Sequence, residues 1–322
     1  MEFYDAKGKD VVFANLRNLV LSFQLAKGEE RARGPRKKIV SFQLHFPCLR
    51  NLTLRDCPED SELYGCDRYF GDLEKVKVWG SVDSLEAMKA LGLKKTSSLD
   101  VVIVDDQDDD GKKHDRVYGV AKHYLGTTSS SSKRLFVTAN LDYIEYRGID
   151  WSGLSLLALY DTVRFDQVLN FINGIPSLSS FHVLCASFEG VVRDNSEASD
   201  GDSSDGDDST VLERLSPLLP GSMLSLATDN TEVSAGMAIR ELSLCFDEEA
   251  AYSDRFKARV AGYMIELLPS LQHLYVEPSL QRYLCRKKSE AGAAVYEQPR
   301  ASIRYADHRA LRAYVTDLIS QQ

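Results

Sequence analysis

Asp106, Asp108 and Asp110 alternate through residues 106–111 and Gly111 stands sixth, the opening of a loop that would wrap calcium in carboxylate oxygens. The twelfth position of such a loop needs a bidentate glutamate. Here it is Val117, and Lys112 and Lys113 follow the glycine, so residues 105–116 read instead as a solvated acidic insertion. The six histidines, His45, His114, His123, His182, His273 and His308, have no metal-ligand spacing, and no nucleophile elbow, phosphate loop or dinucleotide fingerprint occurs. Catalytic residues, metal ligands and cofactors are therefore expected to be absent. The alternative, an enzyme whose site is assembled only by folding, leaves no trace in spacing. In a second acidic run, residues 193–210, Ser199 and Ser204 each precede an aspartate by three positions, a pattern that suits acidophilic kinases. A basic stretch, residues 27–38, holds Lys27, Arg31, Arg33, Arg36, Lys37 and Lys38. Glu29 and Glu30 interrupt it and no aromatic interleaves, so it reads as a solvated loop more than a nucleic-acid surface.

The residues best suited to recognition are arginines, lysines and aromatics that alternate with apolar positions in short runs. Arg55, Lys75, Lys77 and Trp79 come first, then Tyr143, Arg147, Tyr160, His182 and Tyr275. Successive side chains of a strand point to opposite faces, so these would line the face turned away from a core. Trp, Tyr and Arg are also the types that most often carry binding energy at protein interfaces.

The runs themselves repeat one phrase: an aliphatic residue, two variable, an apolar, one variable, an apolar. Leu16, Leu19 and Leu21 make it, as do Leu49, Leu52 and Leu54; Leu73, Val76 and Val78; and Leu99, Val102 and Val104. Later copies are Leu141, Ile144 and Tyr146; Leu154, Leu157 and Leu159; Leu178, Phe181 and Val183; Ile239, Leu242 and Leu244; and Leu271, Leu274 and Val276. Between phrases the apolar period shifts toward 3.6. Leu85, Met88 and Leu91 share a helical face with Asp83 as N-cap and Gly92 as stop; Val168, Leu169 and Ile172 share another. A third helix starts after Ser253 with Phe256, Val260, Tyr263 and Leu267 inward.

Strand, turn, return helix, then Pro and the next Leu is the grammar of a leucine-rich-repeat solenoid. The expected fold class is thus α/β: one irregular solenoid over residues 1–322, with a curved, mostly parallel sheet on the concave side and helices on the convex side. The acidic insertions 105–116 and 193–210 are expected to be disordered, and the serine run 129–132 is expected to lie in a flexible loop. Residues 307–322, with Leu311, Tyr314, Val315 and Leu318 on one face, are expected to form a C-terminal capping helix over the open end of the core.

The segments around Phe46-Pro47-Cys48-Leu49, Ile175-Pro176-Ser177-Leu178 and Leu268-Pro269-Ser270-Leu271 resemble the repeat part of F-box/leucine-rich-repeat proteins, with Cys57 where that family places a corner cysteine. The resemblance is to the repeats, without a recognisable F-box. It implies a protein–protein interaction scaffold, the substrate-recognition module of an F-box-like ubiquitin-ligase receptor, with a link to the cullin adaptor.

Composition bounds the rest. The chain has 322 residues, 43% of them hydrophobic, and a net charge of −9, which disfavours nucleic acid and anionic membrane as partners. The basic, aromatic N-terminal patch favours an acidic protein partner. No membrane span, no leader and no paired-cysteine motif are read, and a cytoplasmic or nuclear location with reduced thiols is expected.

Overall fold

A computed structural model describes residues 7–9, 11–22, 46–56, 73–89, 93, 96–104, 113–138, 148–187, 238–246, 252–284 and 301–320. Its strands form one ten-stranded parallel sheet whose spatial order, β1 to β10, is the order of the chain. Contacts divide the chain into two units, Met1–Asp161 and Thr162–Gln322, with the boundary inside β6.

The first unit holds β1 (Asn18–Ser22), β2 (Asn51–Arg55), β3 (Leu73–Gly80), α1 (Val82–Met88), β4 (Thr96–Ile103), α2 (Lys113–Thr127), β5 (Ser132–Val137) and most of β6 (Leu154–Arg164). Register aligns Leu19, Leu52, Val76 and Leu99 in one row and Leu21, Leu54, Val78, Val101 and Leu135 in the next. From Leu52 onward these rows are almost wholly removed from water, each large side chain contributing about 1.5–3 kcal/mol of transfer free energy. The helices cover that side. Val117, Val120, Ala121, Tyr124 and Leu125 of α2 are buried, the Tyr124 hydroxyl donates to the Leu85 carbonyl at 2.8 Å, and Lys133 Nζ donates to the Leu125 carbonyl at 2.6 Å.

Four expectations are corrected here. The fourth phrase is out of phase: Leu99, not Val102, stacks on Val76, and Val102 pairs with Trp79 on the opposite face. Thr96, Leu99 and Val101 are the true equivalents of Leu73, Val76 and Val78. The serine run is ordered, because Ser130 and Ser131 both donate to the Ser97 carbonyl (3.1 and 2.9 Å) and Ser132 opens β5, a strand whose Lys133 and Arg134 hid it. Residues 113–116, placed in the acidic insertion, form the first turn of α2, where Arg116 bridges Asp83 and Glu86 of α1. The cap of α1 differs as well, because Asp83 lies inside the first turn. Ser81, not Asp83, accepts from Ser84 N at 3.2 Å. The phrase at Leu141, the remainder of insertion 105–116, the insertion 193–210, the basic stretch 27–38 and Cys57 lie outside the described residues.

The second unit holds α3 (Phe165–Gly174), β7 (Ser180–Ser187), β8 (Glu241–Phe246), α4 (Asp254–Leu267), β9 (His273–Val276), a 3₁₀ turn (Pro278–Leu280), α5 (Gln281–Leu284), β10 (Ser302–Tyr305) and α6 (His308–Ser320). Its core rows are Phe181, Leu242, Leu274 and Ile303, then Val183 and Leu244. Val168, Leu169, Phe171 and Ile172 of α3 pack on that side, with the Phe171 and Phe181 rings 6.2 Å apart. Ser253 caps α4 as expected, accepting from Phe256 N at 3.2 Å. The buried face of α4 is Lys257, Ala258, Val260, Ala261 and Met264, while Phe256, Tyr263 and Leu267 stay half-buried.

One local device recurs in both units. A turn bond links Leu16 N to Phe13 O, Leu49 to Phe46, Leu154 to Trp151, Leu178 to Ile175 and Leu271 to Leu268, at 3.0–3.2 Å. Three of these turns have Pro at their second position, where its fixed φ suits the turn. The anchor residue is an aromatic or aliphatic side chain, mostly buried, and the Leu three residues later enters the next strand. This is the Pro-then-Leu grammar in hydrogen bonds.

Candidate interaction site

On the face of the first unit opposite α2, register builds a ladder of charge. Thr53, Lys77, Asp100 and Arg134 stand side by side on β2, β3, β4 and β5. Arg134 Nε donates to Asp100 Oδ1 at 2.6 Å and Nη2 donates to Oδ2, a bidentate pair almost closed to water. Two-point geometry is what makes a dry ion pair tolerable. The next row is Arg55, Trp79, Val102 and Phe136. The Arg55 guanidinium lies 5.1 Å from the Trp79 ring centroid and Lys77 Nζ 5.5 Å from it, so one indole faces two cations. A third row runs Asn18, Asn51, Lys75 and Ser98, with Asn51 Nδ2 donating to Asn18 Oδ1 at 2.6 Å.

Four of the residues proposed from sequence are therefore brought together: Arg55, Lys75, Lys77 and Trp79. Arg55, Lys75 and Trp79 are half-buried, but Lys77 is only 5% exposed, where an open side chain was expected. Burial pushes the Lys77 amine down to about 8. Arg55, Arg134 and Lys75 add to that push, and the Asp100 carboxylate opposes it. Burial lowers Lys75 as well. The site's centre of charge was missed: Asp100 interrupts an apolar run and Arg134 lies in the overlooked strand. A lone carboxylate inside Leu99–Val104 was the signal for it.

The other proposed residues fall elsewhere. Tyr160 is half-buried on β6. Tyr143 and Arg147 lie outside the described residues. His182 and Tyr275 belong to the second unit, and neither is on an open surface: His182 has no exposure and Tyr275 6%. Residues 308–320 form the expected terminal helix, but it packs over the sheet face. Tyr314 of α6 stacks on Tyr275 at 5.3 Å and meets the His182 ring edge-on at 6.0 Å. Beneath it His182 Nδ1 and Ser243 Oγ share a hydrogen bond of 2.8 Å, His182 Nε2 is buried without a partner, and Arg304 Nη1 donates to the Tyr275 hydroxyl at 2.8 Å. Burial drives His182 down to about 4 and raises Tyr314, which the Tyr275 hydrogen bond and nearby Glu241 raise further.

Among the described residues no three His, Cys, Asp or Glu side chains gather to hold a metal. Among the described residues Cys48, Cys185 and Cys245 form no disulfide, and no described helix is long and apolar enough to cross a membrane. No family model, curated protein or solved structure matches the chain.

Proposed function

We propose that this protein is a non-enzymatic protein–protein interaction scaffold, a leucine-rich-repeat-like solenoid that takes an acidic partner on the face carrying Arg55, Lys75 and Trp79. The supporting observation is the Arg55–Trp79–Lys77 arrangement. Two cations converge on one half-buried indole, beside a carboxylate already neutralised by Arg134. Such a patch offers an aromatic anchor and basic side chains to one side of the sheet. The recurring Pro–Leu turns favour the repeat reading. By the family resemblance, the partner would be a ubiquitin-ligase substrate and the scaffold would couple to the cullin adaptor.

Affinity capture from the native cell tests both levels. The Arg55→Glu/Lys75→Glu variant should lose a partner that the wild type captures, and that partner should elute early in rising salt, because surface charge steering is screened within about 10 Å at 0.1 M salt. Unchanged capture by the variant would remove this face from the function. Recovery of the cullin adaptor would support the ligase role, and its reproducible absence would remove it.

A further inference from the structure

In the second unit the two faces of the sheet are covered very differently. α3, on the apolar side, buries five residues and packs Phe171 against Phe181. α6, on the other side, buries only Leu311 and Val315 among its described residues, with Tyr314 and Leu318 half-buried. Arg309, Ala310, Arg312, Ala313, Thr316 and Asp317 stay exposed. The row beneath α6 is polar: His182, Ser243, Tyr275 and Arg304 are register partners across β7, β8, β9 and β10. α6 meets that row through Tyr314, whose ring touches those of His182 and Tyr275. His182 and Ser243 have no exposure, and His182 Nε2 is buried without a partner. A buried polar atom left unpaired costs its full desolvation. A narrow apolar stripe therefore holds α6 against a row whose hydrogen bonding is incomplete.

We infer that α6 is a displaceable strap, which opens as a unit from the β7–β10 face while the sheet stays folded, and that protonation of His182 opens it. Elements with few buried apolar contacts belong to the low-stability end of a fold, where local opening precedes global unfolding. The imidazole is the trigger because a charged ring donates from both nitrogens. Nδ1 is already bonded to Ser243 Oγ, and Nε2 has no acceptor. Around it stand Glu241 on β8, His273 and Tyr275 on β9, Arg304 on β10, and Tyr314 of α6, which Glu241 and Arg304 push in opposite directions. α6 itself adds His308, Arg309, Arg312 and Asp317. Burial holds His182 at about 4, against 6.5 in water. The open state therefore takes up the proton first. The closed state is favoured above 6.5 and loses about twentyfold to the open one between pH 7 and pH 5. Opening uncovers His182, Ser243 and Tyr275, a second face built on the strand alternation that places Arg55 and Trp79 on the first. Once released, 13 residues are too few to stay helical alone, so the amides of α6 lose their protection.

The test is hydrogen exchange of the full chain read by mass spectrometry, with each rate corrected for its intrinsic pH dependence. At pH 7 or so, peptides from α6 should be at least about tenfold less protected than those from β7 and β8. At about pH 5 the protection of α6 should fall by about a further twentyfold, and in His182→Gln it should not. Leu311→Ala/Val315→Ala should strip protection from α6 at neutral pH with β7 and β8 still protected. Equal protection of α6, β7 and β8 in the wild type, or their joint loss in the double variant, overturns the strap. An acid loss that persists undiminished in His182→Gln overturns the trigger.

Discussion

Asp100 and Arg134 are register partners on β4 and β5 and meet through two hydrogen bonds, the Nε–Oδ1 bond being 2.6 Å, on the side of the sheet that carries no described helix in the first unit. Asp100 is 1% exposed and Arg134 8%. Lys77, the partner of Asp100 on β3, leans on the same carboxylate.

Asp100→Ala removes the carboxylate that two hydrogen bonds tie to buried Arg134 and should cost about 3–5 kcal/mol in urea unfolding. Asp100→Leu with Arg134→Leu removes both charges and should recover most of that loss. A double variant as unstable as the single one would show that the pair acts through packing.

Lys77 titrates near 8 in the folded protein against 10.5 in the unfolded chain. Between those values the unfolded chain binds more protons, so stability should rise with pH, by an amount on the order of 3 kcal/mol across the window. The wild type should therefore gain on Lys77→Met between pH 7.5 and 10.5 or so. Identical pH slopes for the two proteins would contradict the burial of this amine. Partner binding should weaken over the same range, as the face loses one charge.

His182 titrates near 4 when folded and 6.5 when unfolded. Here too the unfolded chain binds the proton first, so stability should fall as pH drops from about 6.5 to 4, by an amount on the order of 3 kcal/mol. His182→Gln should flatten that limb. Hydrogen exchange should show α6 loosening with it, since Tyr314 lies on the imidazole edge.

Gly153 has φ of 75°, and a Cβ there would stand 2.9 Å from the Ser130 carbonyl oxygen. Gly153→Ala should cost about 1–3 kcal/mol, read as a lowered melting temperature. An unshifted melt would mean that the Ser130 turn yields freely.

Much of the strand inventory was legible locally. Leu52, Leu54, Val76 and Val78, and later Phe181, Leu242 and Leu274, show the apolar alternation that a half-buried strand requires. The turns before Leu49, Leu178 and Leu271 announce themselves through Pro. Where an apolar run has no polar alternation, local pattern loses phase. Val101, Val102 and Ile103 are all buried, so the run 99–104 offered two registers, and only pairing with β3 chose Leu99 over Val102. In β5, Lys133 and Arg134 broke the apolar pattern because each meets a partner from another element, the Leu125 carbonyl and the Asp100 carboxylate.

The sequence alone determined which residues alternate, where the turns fall and that Arg55, Lys75, Lys77 and Trp79 would share a face, because a strand's two-residue period and a turn's four-residue span are local properties. Only the tertiary structure decided which of those side chains meet water. His182 and Tyr275 follow the same alternation as Arg55 and Trp79, yet α6 seals them, and Lys77 sinks among cations that come from its own strand and two others. Exposure and charge pairing depend on what lies across the sheet, tens of residues away along the chain, and no local spacing records that.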